Sequence, residues 1–271
     1  EIFGFLNYNE FEKSFKIKSW AFNFFNSVSG DYDYDSFKLQ TTSKITDTVA
    51  KIDFSSYEME VFGIEKLNFT KRFDFNLFPE MDVVKFVSDK SFLFDGDIYI
   101  GNLAFSGQNI LFDYKSFGFS FIENSILSFL HPQRDKLSQS IIHFDNGVLL
   151  LDSINNKSGS HQLDDFPRFK VLESAYLSYL NNNVNFIIKP FELNYLNDLA
   201  LNNIKFDGHL YLDSVVTDLE GVLSFDDLLN LKTIIKTDTP TYLYKNHILF
   251  DGVLNLTSDG LFGSGILESE N

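Results

Sequence analysis

Apolar and polar positions alternate with a period of two through much of this chain. Asp74 and Asn76 separate Phe73, Phe75 and Leu77, while Gly118 and Ser120 separate Phe117, Phe119 and Phe121. The same pattern runs through residues 52–55, 57–61 and 191–195. Successive side chains on a strand point to opposite faces, so each stretch predicts a strand with one buried and one wet side. Half-buried strands of this kind belong to antiparallel sheets, not to the doubly covered parallel sheets of α/β proteins.

Asp-Gly dipeptides recur between such stretches. Asp95-Gly96, Asp207-Gly208 and Asp251-Gly252 each follow a phenylalanine: Phe94, Phe206 and Phe250. Asp-Gly tolerates the positive φ angles of a tight turn, so all three predict hairpin turns joining antiparallel neighbours. Asn146-Gly147, after Phe144-Asp145, predicts a fourth turn, and Asp226-Asp227 a fifth. Their unequal spacing indicates recurrent turn chemistry and not a solenoid period.

Helix signals are few. Ser19 can cap a short helix with Trp20, Phe24 and Val28 on one face, and Gly30 stands where such a helix would stop. Residues 4–8 and 15–18 read as a hairpin before it. Pro79 and the residues up to Val87 could form a helical turn or two, whereas Leu228, Leu231 and Ile235 are assigned to a strand. Linker-like segments fall at 31–36, 130–140, 155–167 and 181–183. The expected fold is mainly β: antiparallel hairpins forming an elongated sheet, a sandwich or a β-groove, with a short hairpin-helix piece at the N-terminus.

Composition supplies core material and removes several functions. Hydrophobic residues make up 44% of the 271, with 32 Phe among them. The excess of Phe, alongside many Asn and Ile, reads as the codon bias of an AT-rich genome. A formal charge of −16 and a pI near 4.6 describe a solvated acidic surface. That field repels phosphate backbones and anionic membrane surfaces, so nucleic acid is not an expected partner. Cysteine is absent, which excludes disulfides, thiolate catalysis and cysteine-ligated zinc. The longest apolar run, residues 148–151, is far short of the roughly 20 residues that span a bilayer, so direct membrane insertion by this segment is not expected. No charged and apolar leader opens the chain, so any export signal or anchor is expected to lie outside it.

Candidate chemistry is sparse. His131, His143, His161, His209 and His247 lack the i, i+4 spacing of a helical zinc site, and His209 is expected to begin a strand after a turn. Asp31, Asp33 and Asp35 alternate with tyrosines and could offer hard oxygens to Ca²⁺. Ser36 and Thr42 stand where a calcium loop needs Gly and Glu, so a solvated acidic edge is the better reading. Gly260, Gly263 and Gly265 read as a turn and bulge. Asn68, Asn156 and Asn255 begin Asn-x-Ser/Thr sequons, a frequency expected in a chain this rich in Asn. Nucleophile elbow, phosphate loop and dinucleotide fingerprint are all missing. The expectation is therefore no catalytic residue, no cofactor site and no metal site. A carboxylate pair for glycan cleavage is the one arrangement that spacing does not test.

Several stretches resemble very large, uncharacterised, β-rich proteins of Gram-negative bacteria. They are Phe94-Asp95-Gly96, Phe105-Ser106-Gly107-Gln108-Asn109, Phe112-Asp113-Tyr114, Asn155-Asn156-Lys157-Ser158-Gly159, Phe206-Asp207-Gly208, Leu254-Asn255-Leu256, Gly260-Leu261 and Gly263-Ser264-Gly265. The resemblance covers most of residues 36–271, and the opening residues resemble the tail of a small winged-helix-like module in that family. It implies two parts, 1–35 and a β-rich 36–271, and the linker-like segment 155–167 marks where the second would subdivide. It also implies an internal section of a long cell-envelope protein, periplasmic or at the cell surface, or of a secreted one. It carries over no activity and no site residue. A non-enzymatic structural or interaction segment is the resulting expectation, with protein partners that include the rest of its own chain. Two alternatives are a β-groove carrying lipid between membranes and a carbohydrate-binding or carbohydrate-cleaving module using Trp20, Tyr99 or Tyr211.

Overall fold

The alternating stretches are strands in the computed structural model. It describes residues 5–9, 14–18, 39–43, 50–69, 75–87, 90–131, 136–157, 161, 163, 165–179, 182–212, 216–237, 240–244 and 247–269. In chain order the first strands are β1 (Phe5–Asn9), β2 (Ser14–Lys18), β3 (Leu39–Ser43), β4 (Ala50–Asp53), β5 (Glu58–Phe62), β6 (Ile64–Phe69), β7 (Phe75–Pro79) and β8 (Val83–Phe86). There follow β9 (Phe92–Ile100), β10 (Leu103–Asp113), β11 (Gly118–Phe121), β12 (Ser125–His131), β13 (Lys136–Phe144), β14 (Gly147–Leu150), β15 (Arg168–Val171) and β16 (Ala175–Tyr179). The last are β17 (Asn182–Ile188), β18 (Phe191–Leu193), β19 (Lys205–Leu212), β20 (Val216–Phe225), β21 (Leu231–Lys236), β22 (Thr241–Leu243), β23 (Ile248–Thr257) and β24 (Gly260–Ser269). Strand accounts for 67% and helical turn for 5%, and the large sheet is antiparallel.

Two compact units share the chain. One comprises Glu1–Ser125, Asn146–Lys170 and Glu192–Asp198; the other comprises Ile126–Asp145, Val171–Phe191 and Leu199–Asn271. In the first unit, β1 and β2 form the expected N-terminal hairpin, and β2 also pairs with β4. The helix expected after Ser19 lies outside the described residues, as do Trp20 and the 31–36 segment. Pro79 leads into a single 3-10 turn at Glu80–Asp82 before β8 begins.

Three expected turns are not turns. Asp95-Gly96, Asp207-Gly208 and Asp251-Gly252 lie inside β9, β19 and β23. Each glycine faces another glycine across its hairpin: Gly96 opposite Gly107, Gly208 opposite Gly221, and Gly252 opposite Gly265. The chain actually reverses further on, at Gly101-Asn102 and Ser258-Asp259 for the first and third hairpins. His209 accordingly sits within a strand and does not begin one.

Close backbone approach, not turn geometry, requires these glycines. A Cβ at Gly208 would lie 2.1 Å from the Ile187 carbonyl oxygen, and one at Gly252 would lie 2.3 Å from that of Ser264. At Gly208 and Gly252 an aromatic ring fills the space left by the missing side chain. Phe186 Cε1 would be 2.4 Å from a Cβ at Gly208, and Phe250 Cζ 2.8 Å from one at Gly252. Covering a strand glycine with a neighbouring ring is a known way to restore packing there. Gly96 adds a φ of +147°, which L side chains rarely adopt. Phe94, Phe206 and Phe250 are all buried, and so are Ile98, Leu210 and Leu254 four residues on. One hairpin design is therefore used three times.

Phenylalanine builds the interior of both units. In the first, Phe119 is fully buried, with ring centroids of Phe112 at 5.2 Å, Phe75 at 6.1 Å, and Phe92 and Phe94 each at 6.3 Å. Phe105, Phe121 and Phe169 form a second group, with Phe105 and Phe169 at 4.7 Å. In the second unit, Phe206 meets Phe191 at 4.8 Å, and Phe129 meets Phe225 at the same distance. Each fully buried ring stabilises by about 1.5–3 kcal/mol through removal from water, and edge-to-face geometry adds to that. Among the described residues most phenylalanines lie in the core, while Phe54, Phe78 and Phe262 are exposed.

The segment 130–140 is a second correction. Strands β12 and β13 take up its ends, and residues 132–135 lie outside the described residues. The polar run Ser138–Ser140 misleads because both serines point inward. Ser138 Oγ donates to Asn230 Oδ1 (3.2 Å), and Ser140 Oγ accepts from the Leu231 amide (2.7 Å). The buried Tyr179 hydroxyl donates to the Leu231 carbonyl (2.5 Å), and burial raises its pKa. These bonds hold the turn that Asp226-Asp227 predicts, where Asp226 Oδ1 accepts from the amides of Leu228 and Asn230.

Candidate functional site

Three places gather side-chain chemistry. The first lies in the first unit, around the turn that follows β10. The buried Tyr114 ring carries Lys157 Nζ at 4.0 Å and Lys90 Nζ at 4.9 Å, an attraction of cations to an aromatic face. Asp113 stabilises the turn by accepting from the Lys115 amide and from the amide and hydroxyl of Ser116. Desolvation pushes the Asp113 carboxyl up, but these hydrogen bonds outweigh it and hold the group below the ordinary carboxylate range. Burial lowers the Lys157 pKa, and the Asp113 charge opposes that shift.

The loop after β14 delivers Lys157 to this cluster. Asp152 and Asn156 are buried with it. Asn156 Nδ2 donates to Asp152 Oδ2 (2.9 Å) and to the His161 carbonyl (2.6 Å), while the His161 amide donates back to Asn156 Oδ1 (3.0 Å). The Asn156 sequon amide is thus committed to the fold. Chemically the arrangement is a clasp: its charges fix a long polar loop onto a turn. Locally 155–167 has linker composition, and the burial of Lys157 is imposed by Tyr114, far away in sequence.

The second place is the outward face of the second unit. Register carries a row from His143 on β13 through Tyr176, Ile187 and His209 to Glu220 on β20. His143 stacks on Tyr176 at 4.7 Å with 4° between planes, and its Nε2 lies 2.8 Å from Ser178 Oγ. His209 Nδ1 is 2.7 Å from Asp218, and Lys189 is 3.2 Å from Glu220. Exposed Tyr176, Ile187, Tyr211 and Val222 stand among these charges.

Burial lowers the His143 pKa. Its neutral form is therefore favoured by folding, and that stability is complete above the unfolded value near ~6.5 and lost as pH falls through it toward the lower folded value. Urea unfolding at pH ~7.5 and ~5.5 should show a smaller acid-induced loss in His143→Gln than in the parent chain.

The third place is β24, which among the described residues is in register with β23 alone. It runs ten residues, and Phe262, Ile266 and Leu267 are exposed by 54%, 64% and 62%. Gly260, Gly263 and Gly265 lie in this regular strand, not in a turn and bulge.

The remaining candidates are dispersed. His161 and His247 act through backbone amides in turns. Asp31, Asp33 and Asp35 lie outside the described residues. Tyr99 packs edge-on against Phe78 at 5.5 Å, and Tyr211 is exposed on β19. Among the described residues no three His, Asp or Glu stand where they could hold a metal ion, and no helix is long and apolar enough to cross a membrane. Fold and surfaces define an antiparallel β protein built on a recurring, glycine-paired hairpin. No protein-family model, no curated protein and no solved structure matches the chain.

Proposed function

We propose that this chain is a non-enzymatic structural or interaction segment of a large bacterial cell-envelope or exported protein, working through contacts with other proteins and with the rest of its own chain. The repeated hairpin carries this reading. A catalytic constellation is built once, whereas three copies of one glycine-paired hairpin supply sheet faces and edges, the surfaces through which proteins associate. Charges interleaved with aromatic and aliphatic residues on the outward face favour protein over lipid as the counterpart, since a lipid groove needs a continuous apolar lining. Glycan and ester substrate panels should give no turnover. Turnover abolished by one Asp or Glu substitution, with the fold intact, would replace this reading with an enzyme.

A further inference from the structure

Besides the bulge between Gly107 and Ile110 in the first, the three hairpins differ in how the second arm is covered. Ile110, Leu223 and Leu267 occupy the same position, each directly opposite the buried phenylalanine of its hairpin, at Phe94, Phe206 and Phe250. Ile110 and Leu223 are fully buried, whereas Leu267 is 62% exposed. In the first two hairpins a further strand pairs with the second arm: β11 with β10, and β21 with β20. Among the described residues the register of β24 is with β23 alone. Its edge offers backbone donors and acceptors, and residues 260–267 contain none of the charges or prolines that usually blunt such an edge.

The occupant is written in the strand itself. Residues 261–267 read Leu-Phe-Gly-Ser-Gly-Ile-Leu, a chemical palindrome about Ser264. A two-fold axis perpendicular to the sheet and midway between the two copies of Ser264 sets Leu261 opposite Leu267, Phe262 opposite Ile266 and Gly263 opposite Gly265. Residues directly opposite in an antiparallel pair share a face. Leu261 and Leu267 lie on the face of Leu256 and Phe250, which are buried, while Phe262 and Ile266 lie on the face of Asn255 and Asp251. Both faces therefore match across the axis, as an isologous contact requires. A register one residue away would set apolar residues of opposite faces against each other and lose this. Taking the chain as an interaction segment, we infer that β24 pairs antiparallel with β24 of a second copy, centred on Ser264.

The absence of native cysteine makes the register directly testable. A residue on the axis faces itself at about 4.5–5.5 Å between Cα atoms, within disulfide reach. Ser264→Cys should therefore give a covalent dimer on mild oxidation, whereas Phe262→Cys, displaced from its own copy by four residues, should not. Sedimentation velocity on the 271-residue chain should show a dimer that strengthens with salt, because the two copies repel through a charge of −16 each. Phe262→Lys with Ile266→Lys sets like charges opposite and should give monomer. Phe262→Lys with Ile266→Glu sets opposite charges together and should restore the dimer, with both variants keeping the parent circular dichroism. A parent that stays monomeric at all concentrations, or cross-linking equal at positions 262 and 264, overturns the pairing. Neither outcome bears on the absence of turnover, which tests the broader reading separately.

Discussion

Replacing Gly208 by valine should destabilise the second unit by about 3–5 kcal/mol, at the severe end of single substitutions. The position is in mid-strand, and a Cβ there would lie 2.1 Å from the Ile187 carbonyl oxygen and 2.4 Å from Phe186 Cε1. The ring could rotate away, but the carbonyl could move only if β17 parted from β19, where Ile188 faces Gly208. Were Asp207-Gly208 a turn, as its dipeptide suggests, the cost would be that of backbone strain, about 1–3 kcal/mol. Urea unfolding distinguishes the two. Tyr211→Val, exposed on the same strand, should stay within about 0.5 kcal/mol of the parent. An unchanged midpoint for Gly208→Val would show that β17 does not constrain this position.

Phe119→Ala should cost about 3–5 kcal/mol in the first unit, the sum of lost transfer energy and a cavity that its neighbours only partly fill. Phe119 is fully buried and is met by rings from β7, β9 and β10. Phe119→Leu keeps more of the volume and should cost less than about half as much. Combining Phe119→Ala with Phe112→Ala should depart from additivity, because the two rings share one packing group at 5.2 Å. A double-variant loss equal to the sum of the Phe119→Ala and Phe112→Ala losses, each measured by urea unfolding, would mean that the rings act as independent apolar mass and not as a fitted cluster.

The Asp-Gly dipeptides and the linker-like 130–140 segment depart from their local signals for one physical reason. A glycine beside an aspartate signals permissive φ, and a run of serines signals solvent, when each is judged from its sequence neighbours alone. What overrides both signals is the element packed opposite. Gly208 is required by a carbonyl on β17, and Ser140 is drawn inward by the Leu231 amide. Asp226-Asp227 was legible because its chemistry is local: one carboxylate accepts from amides two and four residues ahead. The same distinction explains Lys157, which has the sequence context of an exposed loop residue and is buried against Tyr114.

By itself the sequence determined that the chain is antiparallel β with one buried face on each strand, because period-two alternation puts the apolar residues of each stretch on a single face. It also held the palindrome of β24, since self-complementarity belongs to the order of residues. Which dipeptides are turns, which serines face inward and which strand is left with an open edge were decided only by tertiary structure. Each depends on the partner strand, and strand partners are chosen by burial over long sequence separations that local chemistry does not encode.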